Sequence, residues 1–281
     1  MYFHKIKSYA KINLALNITG KNLFLHKIES IVAFSNLHDI IYIRKTKSSN
    51  HKISFSGRFS KKIGKKNTVS KLLKILDKKK LLQNEKFQIK IIKNIPMKAG
   101  LGGGSMNAAN ILRFFANKKM ILIKNKEIDQ IARSIGSDVI LGLNPINTIL
   151  TSKNEIKRFK DSRSFYTLII KPNFGCSTKK IFSQVKKFNK PKLNLPNKRM
   201  FNVNFLFKMT NSLEPIVLSK YPKLKEIKKF LENFTNSIFV RMTGSGSTLV
   251  AYFQSKKGCD NAKKLFSKKY KKYWCIVSKT I

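Results

Sequence analysis

The chain has 281 residues, of which 42% are hydrophobic, and this is typical of a globular protein with a substantial core. Lysine and arginine number 59 against 13 acidic residues, a formal net charge of +46. Such a charge suggests nucleic-acid binding, but the lysines are spread along the whole chain and arginine is a minority. Lys, Asn, Ile and Phe are enriched together, and we therefore interpret the charge as a bias toward A/T-rich codons.

Two absences in the sequence bear on where the protein works. No apolar run is long enough to cross a bilayer, and residues 1–10 lack the apolar centre of a signal peptide. The three cysteines, Cys176, Cys259 and Cys275, lie far apart and form no C-x-x-C pair. We expect a cytoplasmic protein whose cysteines are free thiols.

Residues 10–19 read A-K-I-N-L-A-L-N-I-T, and their alternation predicts a strand. Lys11 and Asn13 fall on the polar face, about 6.8 Å apart along the strand, so both can reach one small ligand. An ordinary solvated face explains the same pattern. Farther on, His26 is a lone histidine, which is more often structural than catalytic.

The elements that follow are predicted from periodicity and capping residues. We expect a strand at 40–44, a strand with a loop within 50–66, and a strand at 87–91. Asn67 and Thr68 can cap a helix, and Gly136 is placed to end a later helix that carries Ile128, Ile131 and Ile135.

A glycine-rich loop precedes another predicted helix. Residues 96–110 read P-M-K-A-G-L-G-G-G-S-M-N-A-A-N and hold four of the 13 glycines. The loop lies between the strand at 87–91 and a helix for which Ser105 or Asn107 is the predicted N-cap. Backbone N–H groups at such a helix start suit a polyphosphate, although a tightly packed turn is the alternative. The spacing matches neither the Walker A loop nor the Rossmann motif.

Asp138 differs in its surroundings from most of the acidic residues, which lie close to lysines. It occurs in G-S-D-V-I-L-G-L, with no lysine within several positions on either side. It is either a turn or N-cap residue or a carboxylate held in a cleft, and it is our first choice for a base.

The second half of the chain begins after a charged, irregular stretch at 154–164, the predicted domain boundary. We expect strands at 166–170, 239–243, 248–253 and 274–278. We expect helices at 178–188, 205–210, 212–219, 223–234 and 259–270. This order of elements is that of a ferredoxin-like α+β sandwich.

Four segments together carry a resemblance to a known family. They are A-K-I-N-L at 10–14, P-M-K-A-G-L-G-G-G-S at 96–105, G-S-D at 136–138 and R-M-T-G-S-G-S-T at 241–248. This set resembles the GHMP small-molecule kinases, and within them the branch that acts on 4-diphosphocytidyl-2-C-methyl-D-erythritol. The resemblance implies an α+β fold of two domains, an N-terminal ribosomal-S5-like domain over 1–155 and a C-terminal ferredoxin-like domain over 156–281.

The resemblance also implies a reaction, in which ATP with Mg²⁺ phosphorylates the 2-hydroxyl of that acceptor in the methylerythritol phosphate pathway of isoprenoid synthesis. It implies Lys11 and Asp138 as catalytic residues, and we assign no residue as a ligand of the metal. The implied ATP-binding residues are Pro96, Met97, Lys98, Ala99, Gly100, Leu101, Gly102, Gly103, Gly104, Ser105 and Met106 in the loop, with Asn67 and Lys93 near the adenine. The implied acceptor-binding residues are Asn13, His26, Thr178 and Phe182, and the turn at Gly244 and Gly246 supports the loop.

The chain departs from the family pattern at several positions. Phe24-Leu25-His26 replaces the usual G-Y-H, Lys98 replaces a glycine, and Met106 replaces a serine. A kinase for homoserine or mevalonate, and a less favoured RNA-binding protein on an S5-like fold, are the alternatives. The expected partner is a small molecule with a cytidine diphosphate group, with no membrane and no specific nucleic acid; a homodimer is an open alternative to a monomer.

Overall fold

The computed structural model describes residues 2–23, 25–160 and 162–281. The departure predicted at Phe24 therefore lies outside the described residues. The chain divides into two compact units. The first unit comprises Met1–Lys11, Leu37–Met97 and Gly102–Pro145, and the second comprises Ile12–Asn36, Lys98–Leu101 and Ile146–Ile281. The division at residues 155 and 156 into family domains stays a prediction.

Strands and helices alternate through the described residues. The strands are β1 His4–Lys21, β2 His26–Thr46, β3 Lys52–Ser56, β4 Lys86–Ile92, β5 Asn147–Leu150, β6 Ile156–Phe159, β7 Tyr166–Lys171, β8 Phe239–Met242, β9 Leu249–Phe253 and β10 Trp274–Lys279. The α-helices are α1 Thr68–Lys78, α2 Gly103–Asn117, α3 Asn125–Ile135, α4 Val139–Gly142, α5 Thr178–Phe182, α6 Val203–Lys208, α7 Glu214–Lys220, α8 Pro222–Phe234 and α9 Lys256–Lys269. A short 3₁₀ helix spans Lys198–Phe201.

In the first unit, the end of β2 pairs antiparallel with β4, and β3 pairs parallel with β4. Helix α1 begins at Thr68, and its N-cap is Asn67, one of the two predicted capping residues. The side-chain oxygen of Asn67 accepts from the N–H groups of Val69 and Ser70 at 3.0 Å. Helix α3 ends at Ile135, as Gly136 predicted. The helices bury apolar faces on the unit's core, including Leu72, Leu112, Phe115 and Ile131.

In the second unit, β7 to β10 form an antiparallel sheet with the order β10-β7-β9-β8. Taken as strands one to four, they follow the order 4-1-3-2 of a ferredoxin-like sandwich, as predicted for the second half of the chain. Helices α8 and α9 share one apolar core with this sheet, to which they contribute the buried residues Leu224, Ile227, Leu231, Cys259, Ala262 and Phe266. Residues 30–32 of β2 pair with β5, which pairs with β6.

Three local predictions were wrong. Strand β2 is continuous from His26 to Thr46, so the apolar stretch before the predicted strand at 40–44 belongs to the same strand. Strand β6 lies in the stretch predicted to be irregular, because it pairs with β5. Helix α5 ends at Phe182, short of residue 188, and the backbone N–H of Asn189 instead donates to the carbonyl of Ile18 at 2.8 Å.

The described part of the chain contains no helix long and apolar enough to span a membrane. The cysteines are free thiols, with Cys176 and Cys259 buried and Cys275 half-buried. Burial raises the pKa of Cys259 to about 12, with a smaller contribution from Asp260. This thiol is therefore protonated and unreactive at neutral pH.

Candidate active site

Lys11 and Asp138 form an ion pair within the first unit. Strand β1 places the Lys11 side chain in the interior, where it is 4% exposed, and its Nζ lies 3.1 Å from Oδ2 of Asp138. Asp138 occupies the N-cap position of α4 without a cap hydrogen bond from its side chain, which is 34% exposed. The carboxylate is thus held by a buried ammonium and is open to a bound molecule.

The close packing of α4 against α2 holds Asp138 in this position. A Cβ atom on Gly142 would lie 2.8 Å from the Cβ of Ala109 and from the sulfur of Met106, so the two helices touch where Gly142 has no side chain. Met106 is fully buried, and its N–H donates to the carbonyl of Gly102 at 2.9 Å. Its side chain therefore supports the helix, and a contact of Met106 with ATP stays a prediction.

The glycine run forms the N-terminus of α2. The N-cap is Gly102, with φ of 66°, and the helix begins at Gly103. The predicted N-caps, Ser105 and Asn107, were wrong, because the left-handed turn at Gly102 starts the helix earlier. Gly102 has no side chain to cap the first turn, whose N–H groups and positive end are suited to an anion. A Cβ on Gly102 would lie 2.7 Å from Cγ of Lys11, so this helix start packs directly on the catalytic lysine predicted from sequence.

A second Lys–Asp pair lies under the same helix start. Lys93 is 3% exposed and pairs with Asp39, which is fully buried. Oδ1 of Asp39 accepts from the backbone N–H groups of Asn94 and Ile95 at 2.8 and 2.9 Å. Oδ2 accepts from the Asn107 amide at 3.0 Å and from Lys93. This carboxylate joins the chain before the glycine loop to the helix after it.

The two residues predicted near the adenine have other partners in the structure. Asn67 uses its side-chain oxygen to cap α1, and its amide donates to the carbonyl of Gly64 at 3.0 Å. Lys93 pairs with Asp39, and its Nζ would lie 3.3 Å from a Cβ on Gly103. The adenine contacts of both residues stay predictions.

In the second unit, the middle of the glycine loop packs on the turn at 243–246. A Cβ on Gly100, whose φ is 73°, would overlap the carbonyl oxygen of Thr243. The Thr243 hydroxyl donates to the Gly100 carbonyl at 3.1 Å. Gly244 lies so close to Gly100 that a Cβ there would be 3.1 Å from its Cα. Lys98, also with positive φ, is exposed, and its Cβ packs against Gly175.

Asn13 also belongs to this group. Its backbone N–H donates to the Thr243 hydroxyl at 3.0 Å, and its amide donates to Ser30 at 2.8 Å. The Thr178 hydroxyl lies 2.9 Å from that of Ser245, in the same turn. The structure therefore brings Asn13, Thr178 and the loop residue Gly100 to one turn of the second unit.

His26 and Phe182 lie together, with ring centroids 5.2 Å apart and planes inclined by 49°. Burial, and to a smaller extent the charge of Lys21, lowers the pKa of His26 below its ordinary value of 6.5. The imidazole is therefore neutral at neutral pH and has both a donor and an acceptor nitrogen. A ring beside a neutral imidazole can receive a planar base.

Sequence reasoning missed Asp39, although the signal used for Asp138 was present. Asp39 lies between apolar residues in L-H-D-I-I, with no lysine within five positions. Asp39 and Asp138 are thus two of the few acidic residues far from any lysine in the sequence, and the structure pairs each of them with a buried lysine.

Comparison with known proteins agrees with these motifs over most of the chain. Residues 67–145 match the family model of the GHMP kinases N terminal domain, and residues 186–272 match that of the GHMP kinases C terminal domain. A 4-diphosphocytidyl-2-C-methyl-D-erythritol kinase of Pelagibacter ubique (strain HTCC1062) is 56% identical over 277 residues, which are 99% of each chain. The chain belongs to this kinase family.

Other similar proteins are less identical in sequence. The 4-diphosphocytidyl-2-C-methyl-D-erythritol kinase of Clostridium tetani (strain Massachusetts / E88) is 33% identical, covering 99% of this chain and all of its own. A crystal structure of 4-(cytidine 5'-diphospho)-2C-methyl-D-erythritol kinase has a TM-score of 0.79 at 20% identity, covering 99% of this chain and 100% of its own. The homoserine kinase of Cytophaga hutchinsonii ATCC 33406 has a TM-score of 0.68 at 16% identity, covering 100% of this chain and 97% of its own. These structures show the shared GHMP kinase fold.

Proposed function

We propose that the chain transfers the γ-phosphoryl group of ATP to the 2-hydroxyl of 4-diphosphocytidyl-2-C-methyl-D-erythritol, in isoprenoid synthesis by the methylerythritol phosphate pathway. The observation that carries the chemistry is the ion pair of Lys11 and Asp138, 3.1 Å apart, with Gly102 packed on Lys11. The relatives at 56% and 33% identity support the choice of acceptor.

Asp138 accepts the proton of the attacking hydroxyl. The buried ammonium of Lys11 favours the ionised carboxylate and offsets negative charge that builds on the acceptor oxygen. Because phosphoryl transfer requires little covalent chemistry from the protein, positioning and electrostatics supply most of the rate.

The start of α2 holds the phosphates of ATP. Its first-turn N–H groups belong to Gly103, Gly104 and Ser105, and the glycines leave the backbone accessible to a phosphate oxygen. Together with residues 96–102 they form the proposed phosphate site, while Asn67 and Lys93 are proposed to line the adenine.

We propose Mg²⁺ as the companion of ATP, where it neutralises phosphate charge. The described residues contain no cluster of three or more His, Cys, Asp or Glu side chains able to hold a metal. A cation bound mainly by phosphate oxygens and water needs few protein donors, and the hydroxyl of Ser105 in the first turn of α2 is one hard oxygen donor. The site therefore fits a metal that would arrive with the nucleotide.

The acceptor's cytosine is proposed to bind at His26 and Phe182. The neutral imidazole hydrogen-bonds the base, and the phenyl ring stacks on it. Asn13 and Thr178, both in contact with the turn at 243–246, are proposed to contact the rest of the acceptor. We place this reaction in the cytoplasm.

An acceptor screen tests the proposal. Purified protein is given ATP, Mg²⁺ and, separately, 4-diphosphocytidyl-2-C-methyl-D-erythritol, homoserine or mevalonate, and ADP formation is followed in a coupled assay. We expect turnover with the cytidine-bearing acceptor alone. Normal ATP binding without turnover on that acceptor would contradict the proposal. Turnover on homoserine or mevalonate instead would reassign the acceptor.

A further inference from the structure

The second unit carries a groove with a concentrated positive charge. It has a volume of about 720 Å³ and lies between α8, the end of α9 and the turn at 270–273. We call it the basic aromatic groove. The lysines that line it, all exposed, are Lys223, Lys229, Lys268, Lys269, Lys271 and Lys272. Glu226 is the acidic residue in this lining, and it pairs with Lys223 at 2.7 Å.

Aromatic rings lie among these lysines. Phe234 stacks on Phe230 with centroids 5.4 Å apart and an interplanar angle of 25°, and Tyr270 meets Phe230 edge-on at 5.4 Å. The ammonium of Lys269 lies 4.8 Å from the centroid of Phe230 and 6.0 Å from that of Phe234. Phe234 is 62% exposed, so a large ring faces solvent beside the cations.

The lysine-rich composition does not by itself explain this groove. A larger cavity in the same unit is lined by Lys225, Lys228 and Arg241, together with Glu214 and Glu232. Lys228 pairs with both glutamates, at 2.5 and 3.3 Å. That cavity is nearly balanced in charge, whereas the basic aromatic groove has six lysines and one glutamate.

We propose that the basic aromatic groove binds single-stranded RNA without sequence preference. Lysines along a groove neutralise backbone phosphates, and an exposed ring provides a surface on which any base can stack. A membrane surface would use the same charges and would accept the exposed ring of Phe234, but a groove of this kind follows a single strand better than it follows a flat bilayer. The groove thereby has a function separate from phosphoryl transfer, and its test does not depend on that activity.

The test measures fluorescence anisotropy of a labelled oligouridylate of about 12 nucleotides, within the range of single-strand site sizes. Phe234→Ala removes the stacking ring, and the double variant Lys268→Gln/Lys272→Gln removes two groove charges. The control Lys256→Gln/Lys257→Gln removes two exposed charges from the other end of α9. The circular dichroism spectrum and the thermal unfolding midpoint of every variant, expected to equal those of the wild type, report on folding.

We expect Phe234→Ala to weaken RNA binding about fivefold or more, as for loss of one stacked base. The groove double variant should weaken it further and reduce the slope of log K against log salt by about 1.4, as for two lost phosphate contacts. Equal weakening by the control, or unchanged binding by Phe234→Ala, would overturn the proposal in favour of general charge attraction. Tighter binding to phosphatidylserine vesicles through the same lysines would reassign the groove to a membrane surface.

Discussion

The first unit contains two Lys–Asp pairs that differ in what surrounds the carboxylate. Asp39 is fully buried, and its two oxygens accept from Lys93, two backbone N–H groups and the Asn107 amide. Asp138 is 34% exposed and does not cap the helix that it precedes. The first carboxylate is saturated by the protein and acts as an anchor, whereas the second has room for a substrate hydroxyl. The same two residue types thus serve structure in one place and, in our proposal, chemistry in the other.

The largest expected effect is on kcat, which should depend on the carboxylate of Asp138. Asp138→Asn should lower kcat by about 10²- to 10⁴-fold because the amide accepts no proton, while ATP affinity is retained. The coupled assay and ATP titration measure the two quantities. Asp129→Asn, on the exposed side of α3, is the matched control. A near-wild-type rate for Asp138→Asn would remove it from the role of base.

The next effect should appear in stability. Asp39→Asn leaves the ammonium of Lys93 buried without its counter-charge, and loss of one partner of a buried pair destabilises by about 3–5 kcal/mol. Urea unfolding measures this free energy. Adding Lys93→Met should recover part of it, with a coupling of about 0.5–3 kcal/mol. Strict additivity of the two substitutions would contradict the pairing.

Gly102→Ala tests the contact between the start of α2 and Lys11, one of the two proposed catalytic residues. A Cβ at this position overlaps Cγ of Lys11, and the left-handed backbone adds about 1–2 kcal/mol of strain. Displacing the lysine should lower kcat/KM by about 10²-fold, the scale of small misplacements in active sites. Gly64→Ala is the control, since its Cβ would have no neighbour within 4 Å. If both variants turn over at the same rate, Gly102 does not position Lys11.

Asn67 holds the start of α1 through uncharged hydrogen bonds, in contrast to the two Lys–Asp pairs. Asn67→Ala should destabilise the protein by about 0.5–2 kcal/mol through loss of the α1 cap. Asn67→Ser keeps a capping oxygen, so its stability should stay near that of the wild type while its KM for ATP rises with loss of the amide. An unchanged KM for Asn67→Ser would make Asn67 a cap alone.

The smallest effect concerns pH and lies outside both pairs. The pKa of His26 is lowered from 6.5, so the neutral form persists on acidification until pH falls through the lowered value. The stability linked to this shift is fully present above pH 6.5 and is lost as pH falls through the lowered pKa. KM for the acceptor should be flat above pH 6.5 and rise several-fold below the lowered pKa. His26→Gln should show no such rise, and a parallel rise in that variant would assign the titration elsewhere.

The sequence predicted best those elements with a clear period and a recognisable cap. Strand β4, between 86 and 92, alternates cleanly, and Asn67 caps α1 as expected. The start of α2 was misplaced because glycine carries no side-chain signal and its φ of 66° becomes visible only in the structure. Only 40–44 of β2 was predicted as a strand, because residues 31–34 are all buried and a continuous apolar run has no alternation.

For the site, the sequence identified Lys11 and Asp138, and the structure pairs them. The network around Asp39 could not be predicted in the same way, because its partners come from residues 93–95 and 107. Hydrogen bonds between residues so far apart in the chain depend on the register of the paired strands, and a single sequence does not reveal that register. The likeness of Asp39 and Asp138 in their lysine-free surroundings was the available clue.

The make-up of the second unit has a consequence for how the protein is synthesised. Its core includes Leu16 and Ile18 beside Leu168 and Leu249, and the N–H of Ile281 donates to the Phe34 carbonyl at 2.9 Å. The parts of β1 and β2 within residues 12–36 are therefore synthesised early. Their apolar surface stays uncovered until the segments after 146 have been made. A fragment beginning at residue 146 would lack those strands and expose the same core. A long interval between the synthesis of these segments favours chaperone binding during translation. When two fragments of the chain are co-expressed, the fragment that begins at residue 146 should be soluble only if the other fragment includes residues 12–36.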